Sequence, residues 1–252
     1  MIEIVEHRSG IRELRLARPP ANALDPGLVA ALRSAVEAAP GEQARALVVS
    51  GSPGIYSGGL DVPALLALDR PALASFLGDF LDLLAALALS ELPVVAAITG
   101  HAPAGGAVLA IQCDHRVMAA GEFKIGLNEV AVGIPLPRLI HSTLVRVVGR
   151  RQAERLGGRG LLVSPDEALR VGLIDELAPP SEVVARAVER AEEFLRLPAG
   201  AMRATRRLAR ADLETIYGAE QRATWESFVD DWFAAETQAT LGALVERLKA
   251  KR

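Results

Sequence analysis

Apolar residues recur along the chain in two rhythms. Short apolar runs mark buried strands, and helical spacing marks the segments between them. Ile2, Ile4 and then Ile11, Leu14, Leu16 predict two strands around a Ser9-Gly10 hairpin. Arg18-Pro-Pro-Ala-Asn-Ala-Leu24 predicts a loop, and Asp25-Pro26 opens a helix striped by Leu28, Leu32, Ala35 and Val36. Ala46 to Val49 predicts a buried strand, followed by the glycine turn Gly51 to Asp61, with Asp61 as a helix cap. Pro71 to Ser90 predicts a long helix with Leu73, Phe76, Leu77, Phe80, Leu84 and Leu87 on one face. Val94 to Ile98 repeats the buried strand, Gly100 to Gly106 repeats the glycine turn, and Ala107 to Ile111 continues as an apolar helix.

Pro137 to Val148 and Arg151 to Leu156 predict two helical pieces separated at Gly149. Ser164-Pro-Asp-Glu167 reads as a helix start with a reciprocal cap, and Val171 to Leu177 as a short strand. From Ser181 the pattern is helical to the end, broken at Pro198 to Gly200. Strands alternating with helices predict an α/β core with parallel pairing over 1–180, followed by a helical region over 181–252. The helical region carries Phe194, Tyr217, Trp225, Phe228, Trp232 and Phe233. Trp225, Phe228 and Trp232 share one face, which is expected to cover either this chain's own pocket or a neighbouring subunit.

Composition narrows the function more than the fold. Half of the 252 residues are apolar, enough for a large core. Only 23% are charged and the net charge is −3, which argues against a dedicated nucleic-acid binder. The acidic, alternating N-terminus does not read as a signal peptide. The most apolar stretch, Leu81 to Ile98, is interrupted by Asp82, Glu91 and Pro93, so no membrane span is expected and a cytoplasmic location is. The single cysteine, Cys113, sits among apolar residues and reads as core. His7, His101, His115 and His141 show no metal-ligand spacing. Gly54 to Gly58 sets its serine one place off a nucleophile elbow, and neither a dinucleotide fingerprint nor a phosphate-loop lysine follows the glycines.

The candidate chemistry lies in the two glycine turns and one carboxylate. A strand, a glycine turn and a helix start expose amides with no intrahelical partner, favoured further for anions by the helix dipole. Leu60 in the first turn and Gly105 in the second are each able to present such an amide. Two amides converging on one oxygen form an oxyanion hole, where losing one donor typically costs about 10²–10³ in rate. Glu129 lies in Gly-Leu-Asn-Glu-Val-Ala-Val-Gly-Ile. Burial there would raise its pKa toward the range of a general base, whereas a partly exposed residue at a strand end would do nothing special.

Ile55-Tyr-Ser-Gly-Gly-Leu-Asp61, Gly100-x-x-x-Ala-Gly-Gly106, Cys113-Asp114 and Gly126-Leu-Asn-Glu129 together resemble the enoyl-CoA hydratase/isomerase (crotonase) superfamily. Pro20-Ala-Asn-Ala-Leu24 and Ser164 to Ile174 extend the likeness over almost the whole chain. The resemblance implies a spiral of ββα repeats, a C-terminal helical trimerisation region, and a homotrimer or dimer of trimers. It implies an acyl-CoA thioester as substrate, with its oxygen held by the amides of Leu60 and Gly105. It also implies a CoA path bordered by Ser57, Gly58, Gly59 and Asp61, with Asn128 in the acyl site. Arg206, on a helix with Arg203, Arg207 and Arg210, matches a family lysine position and is expected at a CoA phosphate. No metal or redox cofactor is implied, coenzyme A being part of the substrate.

One departure is informative. Hydratases of this family carry two glutamates, and the first of these positions is Val108 here, while the second is Glu129. Splitting water uses two carboxylates, whereas moving a double bond uses one base. The single glutamate, Pro103-Ala-Gly-Gly106 and Leu244-Val-Glu-Arg-Leu-Lys249 resemble the 3,2-trans-enoyl-CoA isomerase (dodecenoyl-CoA isomerase) branch. The expectation is therefore conversion of 3-enoyl-CoA to 2-trans-enoyl-CoA. A hydratase, another acyl-CoA chemistry and a non-catalytic acyl-CoA-binding subunit are the alternatives.

Overall fold

The alternating strand and glycine-turn pattern folds into two sheets that share one spiral. The computed structural model describes residues 1–218 and 225–250. Six strands form the larger sheet: β1 (Ile2–His7), β2 (Ile11–Leu16), β3 (Ala46–Ser50), β5 (Val94–Ile98), β7 (His115–Ala119) and β9 (Glu176–Ala178), in the order β1-β2-β3-β5-β7-β9. β1 and β2 pair antiparallel through the hairpin, and every other pair in this sheet is parallel. β4 (Gly54–Ile55), β6 (Gly100–Pro103) and β8 (Ile125–Gly126) form a second, parallel sheet in the order β4-β6-β8. Each turn of the spiral therefore contributes one long strand, one short strand and then helix. This is the spiral of repeats that the sequence resemblance implies.

Three helices flank the first turns: α1 (Pro26–Ala38), α2 (Val62–Leu65) and α3 (Arg70–Ala88). Their starts are capped by aspartates, the first two as the sequence predicts and the third by Asp69, which had no assigned role in the sequence. Asp25 accepts from the Leu28 amide at 2.8 Å, Asp61 from Ala64 at 3.1 Å and Asp69 from Ala72 at 2.9 Å. α3 is long and apolar enough to cross a membrane by length and composition alone, but its apolar face packs on α1 within the core. The short α4 (Gly105–Ala110) follows β6, and α5 (Arg138–Gly157) is broken at Gly149, where φ is +75°. α6 (Pro165–Arg170) starts at Ser164, whose hydroxyl accepts from the Glu167 amide.

The parallel strands are buried on both faces, which explains their unbroken apolar runs. Leu47, Val49, Val94, Ala96 and Ile98 face α1 and α3 in the main core. Val48, Val95, Ala97 and Val117 face the other way, toward Val183, Ala187, Val188 and Ala191 of α7 (Val183–Arg196). The helical region expected over 181–252 thus begins as a layer of the core itself, because the small residues of α7 let it lie close on the sheet. Beyond it come α8 (Ala199–Ala209), α9 (Ala211–Ile216), α10 (Trp225–Trp232) and α11 (Ala235–Lys249). Phe228 and Trp232 are buried, and α10 packs on α3 within this chain. The Trp225 side chain lies outside the described residues.

Candidate active site

Two backbone turns lie against each other where the short strands end, and a buried carboxylate follows the third short strand. The first turn runs from Tyr56 to Asp61. Asn22, fully buried and left-handed at φ +48°, clamps it from behind. Its side-chain amide donates to the carbonyls of Tyr56 (3.1 Å) and Ile55 (3.3 Å), and its own carbonyl accepts from Ser57 Oγ at 2.8 Å. Leu24 brackets Leu60: its amide donates to Gly59 O at 2.8 Å and its carbonyl accepts from Asp61 N at 3.0 Å. The Leu60 amide itself has no acceptor among the described residues.

The second turn leads from β6 into α4. Ala104 stands at φ +46°, ψ −120°, a conformation that L-residues avoid. Its amide donates to Gly126 O at 2.8 Å, and its carbonyl accepts from Val108 N at 2.9 Å. Gly105 follows, and its amide also has no acceptor among the described residues. The turns lie against each other. The Leu60 nitrogen is 3.3 Å from the point where a Gly105 Cβ would stand, and the Gly105 nitrogen is 3.1 Å from the corresponding point on Gly59. A Cβ at Gly106 would come within 2.5 Å of Ser57 O, so only glycine permits this approach. α4 spans six residues. With so few aligned peptides the expected dipole contribution is small, and the free amides themselves carry the polarity.

The carboxylate comes from the next strand. Gly126 of β8, the residue that accepts the Ala104 amide, is followed by Leu127, Asn128 and a one-turn 3₁₀ helix, Glu129–Val132. Glu129 is 9% exposed among the buried Leu127 and Ile134, and its Oε2 is buried with no hydrogen-bond partner among the described residues. Desolvation pushes its carboxyl up to about 7, against a smaller opposing effect of its own backbone amide. The Asn128 Oδ1 is likewise buried without a partner. An isolated carboxylate of this kind takes up or gives up a proton near neutral pH. Val108 is buried in α4. Among the described residues no three histidine, cysteine or acidic side chains gather as a metal site.

Four of the residues expected at the CoA path are already engaged within the fold. Ser57 is fully buried, and its hydroxyl is engaged by Asn22 O and the Gly59 amide, so it braces the turn and does not line a path. Asp61 caps α2 and pairs with Arg18 at 2.7 Å, which leaves its carboxylate committed to the scaffold. Gly59 is buried against the second turn, whereas Gly58 stays partly exposed. Arg206 is bidentate to Asp114 at 2.8 and 2.9 Å and donates to Ser90 O at 2.5 Å. Arg210 shares the same carboxylate at 3.0 Å. Arg206 therefore staples α8 to the start of β7, with three of its five N–H donors committed. Asn22 had no assigned role in the sequence. Its signal was an asparagine in a proline-rich turn, one of the few residues that tolerate the left-handed region.

The model of the enoyl-CoA hydratase/isomerase family matches residues 6–251. Human enoyl-CoA delta isomerase 1, mitochondrial, is 30% identical over 247 residues, covering 97% of this chain and 82% of that protein. A probable enoyl-CoA hydratase from Mycolicibacterium paratuberculosis is 32% identical over 232 residues, covering 87% of each. The crystal structure of human mitochondrial delta3-delta2-enoyl-CoA isomerase superposes with a TM-score of 0.94 at 29% identity, over 100% of this chain and 99% of that one. With the fold shared from end to end and the sequence matched over all but a few terminal residues, the chain belongs to the enoyl-CoA hydratase/isomerase family of the crotonase superfamily.

Proposed function

We propose that this enzyme converts 3-enoyl-CoA to 2-trans-enoyl-CoA, with Glu129 as the sole proton carrier. The reading rests on one observation: a buried, unpaired carboxylate at Glu129 with the apolar Val108, and no second acid, on α4. Glu129 as carboxylate takes the proton from C2. The electron pair moves toward the thioester oxygen, and the amides of Leu60 and Gly105 donate to the resulting enolate. The double bond forms between C2 and C3 as the same carboxyl returns the proton to C4. Atoms and charge balance without water. A titration near 7 suits a group that must act as base and then as acid. Asn128 precedes the base in the chain, and its side-chain oxygen is also buried without a partner among the described residues.

Incubation with 3-enoyl-CoA and with 2-enoyl-CoA, followed by mass analysis, tests this. Double-bond migration without a gain of one water is the expected result. Mass gain from 2-enoyl-CoA at a comparable rate would favour the hydratase reading, which the likeness to a probable hydratase supports. CoA-ester binding with neither product would favour a non-catalytic subunit. We also propose a homotrimer or a dimer of trimers, since α8 buries none of its residues within this chain and leaves Leu208 78% exposed. Sedimentation measures that directly.

A further inference from the structure

The turn that carries Glu129 is closed from outside its own strand. Glu129 O accepts from Ile134 N at 3.0 Å, and Ala131 N donates to Asn128 O at 3.0 Å. The turn ends at Gly133, left-handed at φ +80°. The Gly133 carbonyl accepts the hydroxyl of Thr237, on α11, at 2.8 Å. Thr237 is 4% exposed. One helical turn further, the Thr240 side chain occupies the space above Gly133, 2.9 Å from where a Cβ would stand. Leu241, fully buried, anchors α11 in the core, and the helix also packs on α2, directly after Leu60.

We propose that Thr237 is the positioning residue of the catalytic carboxylate. Its hydroxyl pins the Gly133 carbonyl, which fixes the turn holding Glu129 and keeps that turn sealed against water. The proposal deepens the isomerase reading and rests on it for its kinetic test. A small misplacement of a proton-transferring group can cost about 10²-fold in rate. Opening the turn would also hydrate Glu129 and return its titration toward that of an ordinary glutamate. No charged group of α11, α2 or α4 contributes to the present position of that titration, so a change in it reports burial.

The experiment compares wild type with Thr237→Val, Thr237→Ala and Thr237→Ser. Two measurements are made: turnover of 3-enoyl-CoA against pH, and the Glu129 carboxyl titration by infrared difference against Glu129→Gln. Val and Ala are expected to lower kcat by about 10- to 100-fold with KM little changed. They should also move the carboxyl titration downward from about 7. Ser is expected to restore both. Unchanged kcat and titration in Val and Ala would overturn the proposal while leaving the isomerase reading intact. A Ser variant as impaired as Val would assign the effect to packing and overturn it too. If wild type does not turn over 3-enoyl-CoA, the isomerase reading fails. The infrared titration then decides positioning alone, supported by a downward move in Val and Ala and overturned by none.

Discussion

Two buried glutamates in this protein titrate in opposite directions. Glu13 on β2 is fully buried, yet its carboxyl is held below the usual range. Burial pushes it up, but hydrogen bonds from Ser50 (2.6 Å), His7 (2.8 Å) and Arg15 (3.0 Å) outweigh that. Glu129 is slightly less buried and is pushed up to about 7, because only its own backbone amide opposes its desolvation, and weakly. Depth does not separate a structural carboxylate from a reactive one. Unmet hydrogen-bonding capacity does.

The largest expected effect separates the two residues by activity. Glu129→Gln should lower kcat by about 10²–10⁴-fold while acyl-CoA binding survives, as read by steady-state kinetics and calorimetry. Near-normal turnover would remove Glu129 from the mechanism. Glu13→Ala should do the reverse. It strands Ser50, His7 and Arg15, at a cost of about 2–4 kcal/mol in urea unfolding, with turnover per folded molecule unchanged.

pH sharpens the contrast further. Glu129 has a raised pKa in the folded state, so its ionisation opposes folding. That penalty is absent below about 4.5, grows as pH rises, and is complete above about 7. Glu129→Gln should therefore match wild type at pH 4 and exceed it by up to roughly 3 kcal/mol at pH 8, measured by denaturant melts. Glu13 has a lowered pKa, so its stabilisation is present above the unfolded value and is lost as pH falls through the folded one. The smallest effect concerns a tie between the tail and α4. Tyr217 donates to Gln112 Oε1 at 2.6 Å, and Gln112 donates to Val108 O at 2.8 Å. Tyr217→Phe should cost about 1 kcal/mol in thermal stability and less than threefold in kcat. A larger kinetic loss would make that network part of the catalytic apparatus.

The long strands and their glycine turns were legible because buried parallel strands leave continuous apolar runs and a close backbone approach demands glycine. The second sheet was not. β4 and β8 are two residues each, too short for any periodicity. The neighbourhood of Glu129 read as apolar, but the 3₁₀ turn and its Gly133 cap depend on α11, which lies about a hundred residues on. The ion pair of Arg206 was hidden for the same reason. A helix face announces a cation, but its partner Asp114 belongs to a distant strand start. Ser57 and Asp61 stood in the expected turn, yet spacing gives no hint that their oxygens are already committed to Asn22, Gly59, Ala64 and Arg18.

Ala104 sits in an unfavourable backbone state, and the bond that holds its amide there comes from Gly126. Gly126 lies three residues before Glu129, and Ala104 one before Gly105. The second glycine turn and the segment leading to Glu129 are thus tied by the rung from Ala104 to Gly126. A shift in the second turn is therefore expected to be felt in the segment that carries Glu129.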